Sequence, residues 1–246
     1  MNPPPGPDPE RGLYETVLLA AGKPVALRRH LDRLAASARE LYGAELPVAE
    51  LTAAAAERAR GHEYARLRIE VAPVPAGKLS ERLTVTPLDP AQFFPPRERG
   101  AELRSFTPPQ WTGEHKLADR SWLEQTEREL GADEVPLIVD PGGGVLEAGR
   151  ANVFAVRGGV LLTPPLDGRI LPGTARGAVL ELAAELGIET EQRRLSLADL
   201  RGAEEVFLTS SLRGIRPARS LDGEALGESD AVSGRLATAL RRRWLG

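Results

Sequence analysis

The sequence predicts an α/β protein of the α+β type, folded as two lobes. Three observations lead there. The chain has 246 residues, room for one large domain or two modest ones at roughly 150 residues each. Both halves mix helix-like and strand-like periodicity. Between them, residues 87–113 are rich in proline and lack strong periodicity, which places a connection near 106–113. The expected organisation is a disordered Pro-rich tail over 1–12, a first α/β lobe over 13–108 and a second lobe over 113–246.

The elements follow in order. Residues 13–20 (LYETVLLA) read as a strand, and Gly22-Lys23-Pro24 as a turn. An amphipathic helix over 28–42 carries Leu31, Leu34, Ala35, Ala38, Leu41 and Tyr42 on one face and stops at Gly43. An Ala-rich helix over 48–60 ends at Gly61. Strands over 64–72 and 82–86 flank a Pro/Gly turn that holds Lys78. The second lobe opens with a helix over 117–130, stopped by Gly131. Strands over 135–139, 145–146, 152–156 and 160–163 come next, and Gly142-Gly143-Gly144 is a hairpin turn. A helix over 174–186 turns Val179, Leu182, Ala183 and Leu186 to one side. A strand over 205–208 delivers Thr209-Ser210-Ser211 to a loop, and a helix over 230–245 closes the chain.

Composition excludes several chemistries. The chain has no cysteine, which removes disulfides, thiolate metal sites and cysteine nucleophiles together. With 41% apolar and 27% charged residues it reads as globular. No stretch approaches the ~18 apolar residues of a membrane span, and residues 1–12 are polar and Pro-rich rather than signal-like. A cytoplasmic protein is expected, with no membrane and no nucleic acid as partner. The net charge of −3 has its two signs interspersed. The one basic run, Arg241-Arg242-Arg243, suits a solvated helix end.

Of the 32 basic residues, three are lysines: Lys23, Lys78 and Lys116. Arginine stays protonated and forms no imine, so amine chemistry has few candidates. Lys23 and Lys78 sit in turns, where a solvated amine is the plain expectation. Lys116 stands at the lobe junction; it is either another solvated amine or, if desolvated, a nucleophile toward carbonyls. Arg33 lies close to the apolar face of its helix and needs an anion, either a phosphate or carboxylate ligand or an internal Asp32 or Glu40. Glu147 follows a strand. The LPGTAR run at 171–176 opens a helix, either a plain loop or an anion site made by backbone N–H groups. Ser210 and Ser211 offer hydroxyls to a phosphate or simply turn the chain. No nucleotide-binding, zinc-protease or nucleophilic-serine motif is present, and His30, His62 and His115 are too far apart in sequence to point to a metal cluster.

Each signal is weak alone, but their order is specific. LYETV (13–17), HLDRLAASA (30–38), HKLADR (115–120), VLEAGRANVF (145–154), LLTPPLDGRILPGTAR (161–176) and EVFLTSSLRGIRP (205–217) resemble the class IV aminotransferase family, the fold-type IV pyridoxal-phosphate (PLP) enzymes. That family includes branched-chain and D-amino-acid aminotransferases and 4-amino-4-deoxychorismate lyase. The resemblance implies a small N-terminal α/β lobe and a larger C-terminal PLP-binding lobe with a strand-rich, barrel-like core. It makes Lys116 the Schiff-base lysine and Glu147 the carboxylate facing the pyridine nitrogen. Arg33 becomes the phosphate-gripping arginine, Thr174 and Ala175 the backbone donors to the phosphate, Ser211 a phosphate-binding hydroxyl, and Tyr14 a substrate-side residue. The sequence departs from the family pattern at the Pro-rich tail, at Ala175 where relatives carry threonine, and at Asp119 where they often carry asparagine.

The compact size, the HKLADR block and the SSLRGIRP ending resemble the lyase-type members most. The implied reaction converts 4-amino-4-deoxychorismate to 4-aminobenzoate and pyruvate, with aromatisation as its driving force. Arg213 and Arg216 are either substrate-carboxylate partners or surface arginines. A class IV aminotransferase acting on branched-chain or D-amino acids is the alternative, and a non-catalytic relative that binds PLP or another phosphorylated ligand is a third. A homodimer and a chorismate-aminating partner enzyme are further expectations from the resemblance.

Overall fold

The computed structural model describes residues 7–75, 77–108, 111 and 113–246. Positions 1–6 of the expected tail and 109, 110 and 112 of the expected connection lie outside the described residues. The chain forms two compact units: residues 7–92, 115–120 and 244–246 in the first, 93–114 and 121–243 in the second.

The first unit contains β1 (Leu13–Ala20), β2 (Lys23–Pro24), α1 (Leu27–Tyr42), α2 (Val48–Ala59), β3 (Tyr64–Val74) and β4 (Lys78–Pro87). The sheet order is β2-β1-β3-β4, antiparallel throughout. Strand β3 alternates strictly: Ala65, Leu67, Ile69 and Val71 are buried and the residues between them are not. That buried face meets Leu27, Leu31, Leu34 and Ala38 of α1 and Leu51, Ala55 and Ala59 of α2. Strand β4 runs longer than its apolar pattern predicts because it pairs with β3 along its whole length, from Val74↔Lys78 to Ala65↔Pro87.

The second unit contains β5 (Ala101–Phe106), α3 (Ser121–Glu129), β6 (Glu134–Val139), β7 (Gly144–Ala148), β8 (Ala151–Arg157) and β9 (Val160–Thr163). After them come α4 (Thr174–Glu185), β10 (Thr190–Gln192), β11 (Leu195–Ser196), α5 (Leu197–Arg201), β12 (Glu205–Ser210), β13 (Gly214–Leu221), β14 (Glu224–Ala225) and α6 (Ser233–Leu245). Strands β8, β12, β13, β5, β6 and β7 close into a ring, the last pairing back to the first. Leu103, Leu137, Val145, Val153, Val206, Leu208 and Leu221 are part of its core. The mixed α/β architecture with a strand barrel is as expected. Two barrel strands were not: β5 lies in the proline-rich stretch, and β13 is disguised by Arg216, Pro217 and Arg219. Closure gives each a neighbour on both sides, which outweighs weak local propensity.

One expected helix starts late. The pattern predicts helix from residue 117, but α3 begins at Ser121. Leu117 instead makes an isolated antiparallel bridge with Leu13. The Tyr14 N–H donates to the Lys116 carbonyl (3.0 Å) and the Ala118 N–H to the Gly12 carbonyl (2.8 Å). Those bonds and the burial of Leu117 in the first unit's core replace one turn of helix. No described helix is long and apolar enough to cross a membrane.

Candidate active site

In the first unit, pairing with β1 fixes the Lys116 backbone and sets its side chain beside a buried aromatic ring. The Lys116 Nζ lies 5.0 Å from the centroid of Tyr14. The same ring carries the Arg68 guanidinium at 3.9 Å and that of Arg120 at 5.7 Å. Burial pushes the half-buried Lys116 amine below its ordinary pKa; Tyr14 and Glu15 act against this, and Arg33 and Arg120 reinforce it. A lowered value raises the neutral, nucleophilic fraction. Gly12 makes the placement feasible. Its φ of +100° suits glycine, and a Cβ there would overlap the Val71 carbonyl oxygen.

Arg33, expected to meet Asp32, Glu40 or a ligand, finds an anion on β1. Its Nε and Nη2 donate to the two oxygens of Glu15, each at 2.7 Å. Asp32 is adjacent in sequence, so it leaves α1 in a different direction, and it accepts from Arg28 instead. His30 completes the group: its Nδ1–H donates to Glu15 Oε2 at 2.6 Å. Burial alone would raise the Glu15 carboxyl, but Arg33 and His30 hold it far below the usual carboxylate range. Burial keeps His30 below its ordinary value despite Glu15, so the ring is a neutral donor at neutral pH. The signal available in sequence was an i, i+3 His/Arg pair on one helix face with a lone glutamate in an apolar strand before it.

In the second unit, Glu147 is buried near the end of β7, and its Oε2 accepts from the Leu171 N–H at 3.0 Å. Asn152 on β8 donates to the Leu171 carbonyl at 2.9 Å. Leu171 is therefore held at both its polar backbone groups, just before α4. Across the sheet Glu147 is in register with Asn152, and Asn152 with Thr209 of β12. These polar residues form a row, while Val153 and Leu208 beside them belong to the barrel core. The Thr209 hydroxyl is buried without a hydrogen-bond partner. Sequence reasoning placed it in a loop.

Gly173 caps α4. It has no side chain to satisfy the first-turn N–H groups, and a Cβ would overlap the Asn152 amide oxygen. Thr174 and Ala175 open the helix, both buried. The Thr174 hydroxyl lies 3.0 Å from that of Ser211. A helix start flanked by two hydroxyls suits an anion. Of the two arginines on this side, Arg216 is buried and bonded through Nε and Nη2 to the Arg99 and Gly100 carbonyls and Asp133. Arg213 is exposed.

Residues 12–221 match the profile of the family described as amino-transferase class IV. The chain belongs to that family. Its members are PLP-dependent enzymes, so this class IV aminotransferase-family chain is assigned an enzyme fold and, by family, that cofactor. It is 42% identical over 92 residues to the branched-chain-amino-acid aminotransferase of Escherichia coli, a match over 37% of this chain and 30% of the relative. The match thus spans about a third of that relative's length. The fold matches a hypothetical aminotransferase of Mycobacterium tuberculosis in its PLP-bound form, with TM-score 0.85, 22% identity and coverage of 99% and 94% of the two chains. It also matches 4-amino-4-deoxychorismate lyase of Pseudomonas aeruginosa, with TM-score 0.80, 26% identity and coverage of 95% and 91%.

The residues present suit such a cofactor. One amine has a lowered pKa. One buried carboxylate is fixed by a backbone bond and stands in a row with an orphaned buried hydroxyl. One helix start has a glycine cap that no larger residue could replace without displacing Asn152.

Proposed function

We propose that the chain is a PLP-dependent lyase that converts 4-amino-4-deoxychorismate to 4-aminobenzoate and pyruvate. The observation that carries the cofactor chemistry is the Lys116 amine, with its depressed pKa, held beside Tyr14 by the bridge to β1. In this reading Lys116 meets the cofactor's aldehyde carbon and Glu147 its ring nitrogen. Arg33, Ser211 and the N–H groups of Thr174 and Ala175 hold the phosphate. When bound, PLP supplies an electron sink for charge developing at the substrate carbon that bears nitrogen. Glu147, fixed by Leu171, keeps the heterocycle protonated. Glu15 holds the Arg33 fork in one orientation. Tyr14 lines the substrate side. Lys116, once free, takes the proton from the amine-bearing ring carbon. The bond to the enolpyruvyl oxygen then breaks, a proton returns to the departing enol, and pyruvate and the aromatic acid result.

A substrate with two carboxylates suits a chain in which Arg120 stands beside Tyr14 and Arg213 is exposed. The alternative, transamination, is favoured by the branched-chain aminotransferase names of the curated relatives. By resemblance the reading extends to a cytoplasmic homodimer supplied by a chorismate-aminating enzyme. The test supplies 4-amino-4-deoxychorismate alone to the PLP-loaded protein. Stoichiometric pyruvate and 4-aminobenzoate are expected. No pyruvate, together with keto-acid-dependent turnover of leucine or D-alanine, refutes the lyase. A near-visible absorbance band bleached by borohydride, absent in Lys116→Ala, tests the cofactor assignment itself.

A further inference from the structure

Two segments far apart in sequence meet next to Lys116 in the first unit. Asp8 to Gly12 lead into β1, and Leu117 to Asp119 follow the lysine. Pro9–Arg11 form one 3₁₀ turn, begun by the Asp8 carboxylate, which accepts from the Glu10 N–H at 2.9 Å. Asp119 receives two bonds from this segment. Its Oδ2 accepts from the Asp8 N–H at 3.1 Å, and its Oδ1 from Arg11 Nη1 at 3.3 Å. The turn is also fixed from α1, where the Tyr42 hydroxyl donates to the Pro9 carbonyl at 2.6 Å. Burial, with Glu10 and Asp8 nearby, pushes the Tyr42 phenol up to about 12, so it stays a donor.

The bonds from Ala118 N–H to Gly12 and from Tyr14 N–H to Lys116 flank a single bridge. Two backbone bonds alone are a weak tie. Asp119 extends it by one more position on each segment. Arg11 adds little, since its side chain is 63% exposed. The Asp8 N–H bond to the same carboxylate, which is 11% exposed, needs no donor side chain to be ordered and makes the stronger contact. We propose that Asp119 is a positioning residue: through Asp8 and Arg11 it fastens the 116–119 backbone to the segment before β1 and so keeps the Lys116 amine desolvated beside Tyr14. This rests on the reading of Lys116 as the reactive amine and deepens it. The groups that face the amine are Tyr14 and Glu15 from β1, His30 and Arg33 from α1, Arg68 from β3, and Arg120. Cutting the tie lets water reach the amine and moves its pKa up, toward that of a free lysine. Direct charge works the other way, because removing a carboxylate near an amine lowers the amine's pKa. The sign of the shift therefore separates positioning from charge.

The test is acetylation of the full-length, cofactor-free protein by acetic anhydride across pH, read at each lysine by peptide mass. The chain has three lysines, and the exposed Lys23 and Lys78 serve as internal references. In wild type the Lys116 midpoint is expected below both. Asp119→Ala is expected to raise it by about half a pH unit or more, with both reference midpoints unmoved. Asp119→Asn keeps an oxygen for the Asp8 N–H, so a smaller rise is expected. Hydrogen exchange of the Ala118 amide should speed up roughly tenfold in Asp119→Ala, while that of Leu51 in α2 is unchanged. A Lys116 midpoint that stays or falls in Asp119→Ala overturns the assignment even where the Ala118 amide exchanges faster, since Asp119 would then hold backbone only or act by charge. Where Asp119→Ala loosens α2 as well, Asp119→Asn decides: a rise supports positioning, and no rise or a fall overturns it. Because no cofactor is present, this outcome is separate from the lyase reading, which pyruvate release and the bleachable band test. A wild-type Lys116 midpoint no lower than the references fails the reading of Lys116, and the role of Asp119 with it.

Discussion

Glu15→Gln should be the most damaging conservative change in the first unit. The carboxylate accepts three hydrogen bonds, from Arg33 Nε and Nη2 and from His30 Nδ1. A glutamine offers one oxygen, and its amide nitrogen must then face an N–H donor. The Arg33 side chain is 9% exposed and that of Glu15 1%, so the guanidinium cannot recover water. Breaking a buried pair from one side costs about 3–5 kcal/mol, which for a chain of this length lowers Tm by on the order of 10 °C. Urea melts with constant m-value check it. A fully folded Glu15→Gln protein within ~1 kcal/mol of wild type would show that the pair is not an isolated buried charge unit. A parallel readout is the apparent Kd for PLP, which should rise because the Arg33 fork is no longer fixed. Arg33→Lys should share the affinity loss, since a lysine cannot span both oxygens.

Acid should destabilise the protein in two stages. His30 is held below its ordinary 6.5 and Glu15 below its ordinary 4.5, so the unfolded chain binds more protons as pH falls through each value. Stability should therefore be flat at pH 7–8, decline below about 6.5 and steepen below about 4.5; a His30→Asn protein that keeps the first decline refutes the His30 assignment. Gly173→Ala should cost about 1–3 kcal/mol by displacing Asn152 from Leu171 and should weaken PLP binding, measured by absorbance titration. Thr209→Val should leave the cofactor-free protein as stable as wild type or up to ~1 kcal/mol more stable, since the lost hydroxyl has no partner. A smaller Tm gain on adding PLP to Thr209→Val would place that hydroxyl against the cofactor, and an unchanged gain would exclude it.

The parts of the fold that were legible in sequence are those whose burial is one-sided. Helix α1 and strands β1 and β3 each present one apolar face at the period of their own geometry, so local patterning and tertiary packing agree. Strands β5 and β13 were hidden because a closed barrel asks only that alternate positions be small or apolar, as Ala101 and Leu103 or Ala218 and Leu221 are. Everything between those positions is free to be arginine or proline. The shift of the α3 start has the same origin. The 117–120 segment carries helix-compatible residues, and only the presence of β1, about a hundred positions earlier in the chain, makes an extended bridge the better use of its backbone.

The site divides along a similar line. Residue types that perform chemistry alone, such as Lys116 and Glu147, stand out in a sequence because few alternatives exist. Residues that act by holding another group do not, because their partner is fixed by the fold. Glu15 looks like a polar interruption of a strand until it meets Arg33, and Asn152 looks like an ordinary strand residue until it meets Leu171. The two units use different means to the same end. The first fixes its cation through buried charge, which favours the fold less as acid protonates His30 and Glu15 in the unfolded chain. The second fixes its helix start through neutral bonds to backbone and a glycine, together with one carboxylate that accepts from the Leu171 N–H. Mild acid should therefore lower the free energy of opening the region around Arg33 before it disturbs the cap of α4. Protection of the α1 amides against hydrogen exchange should decline below about pH 6.5, while that of the amides around Leu171 stays high; simultaneous loosening of both regions would contradict this division of labour.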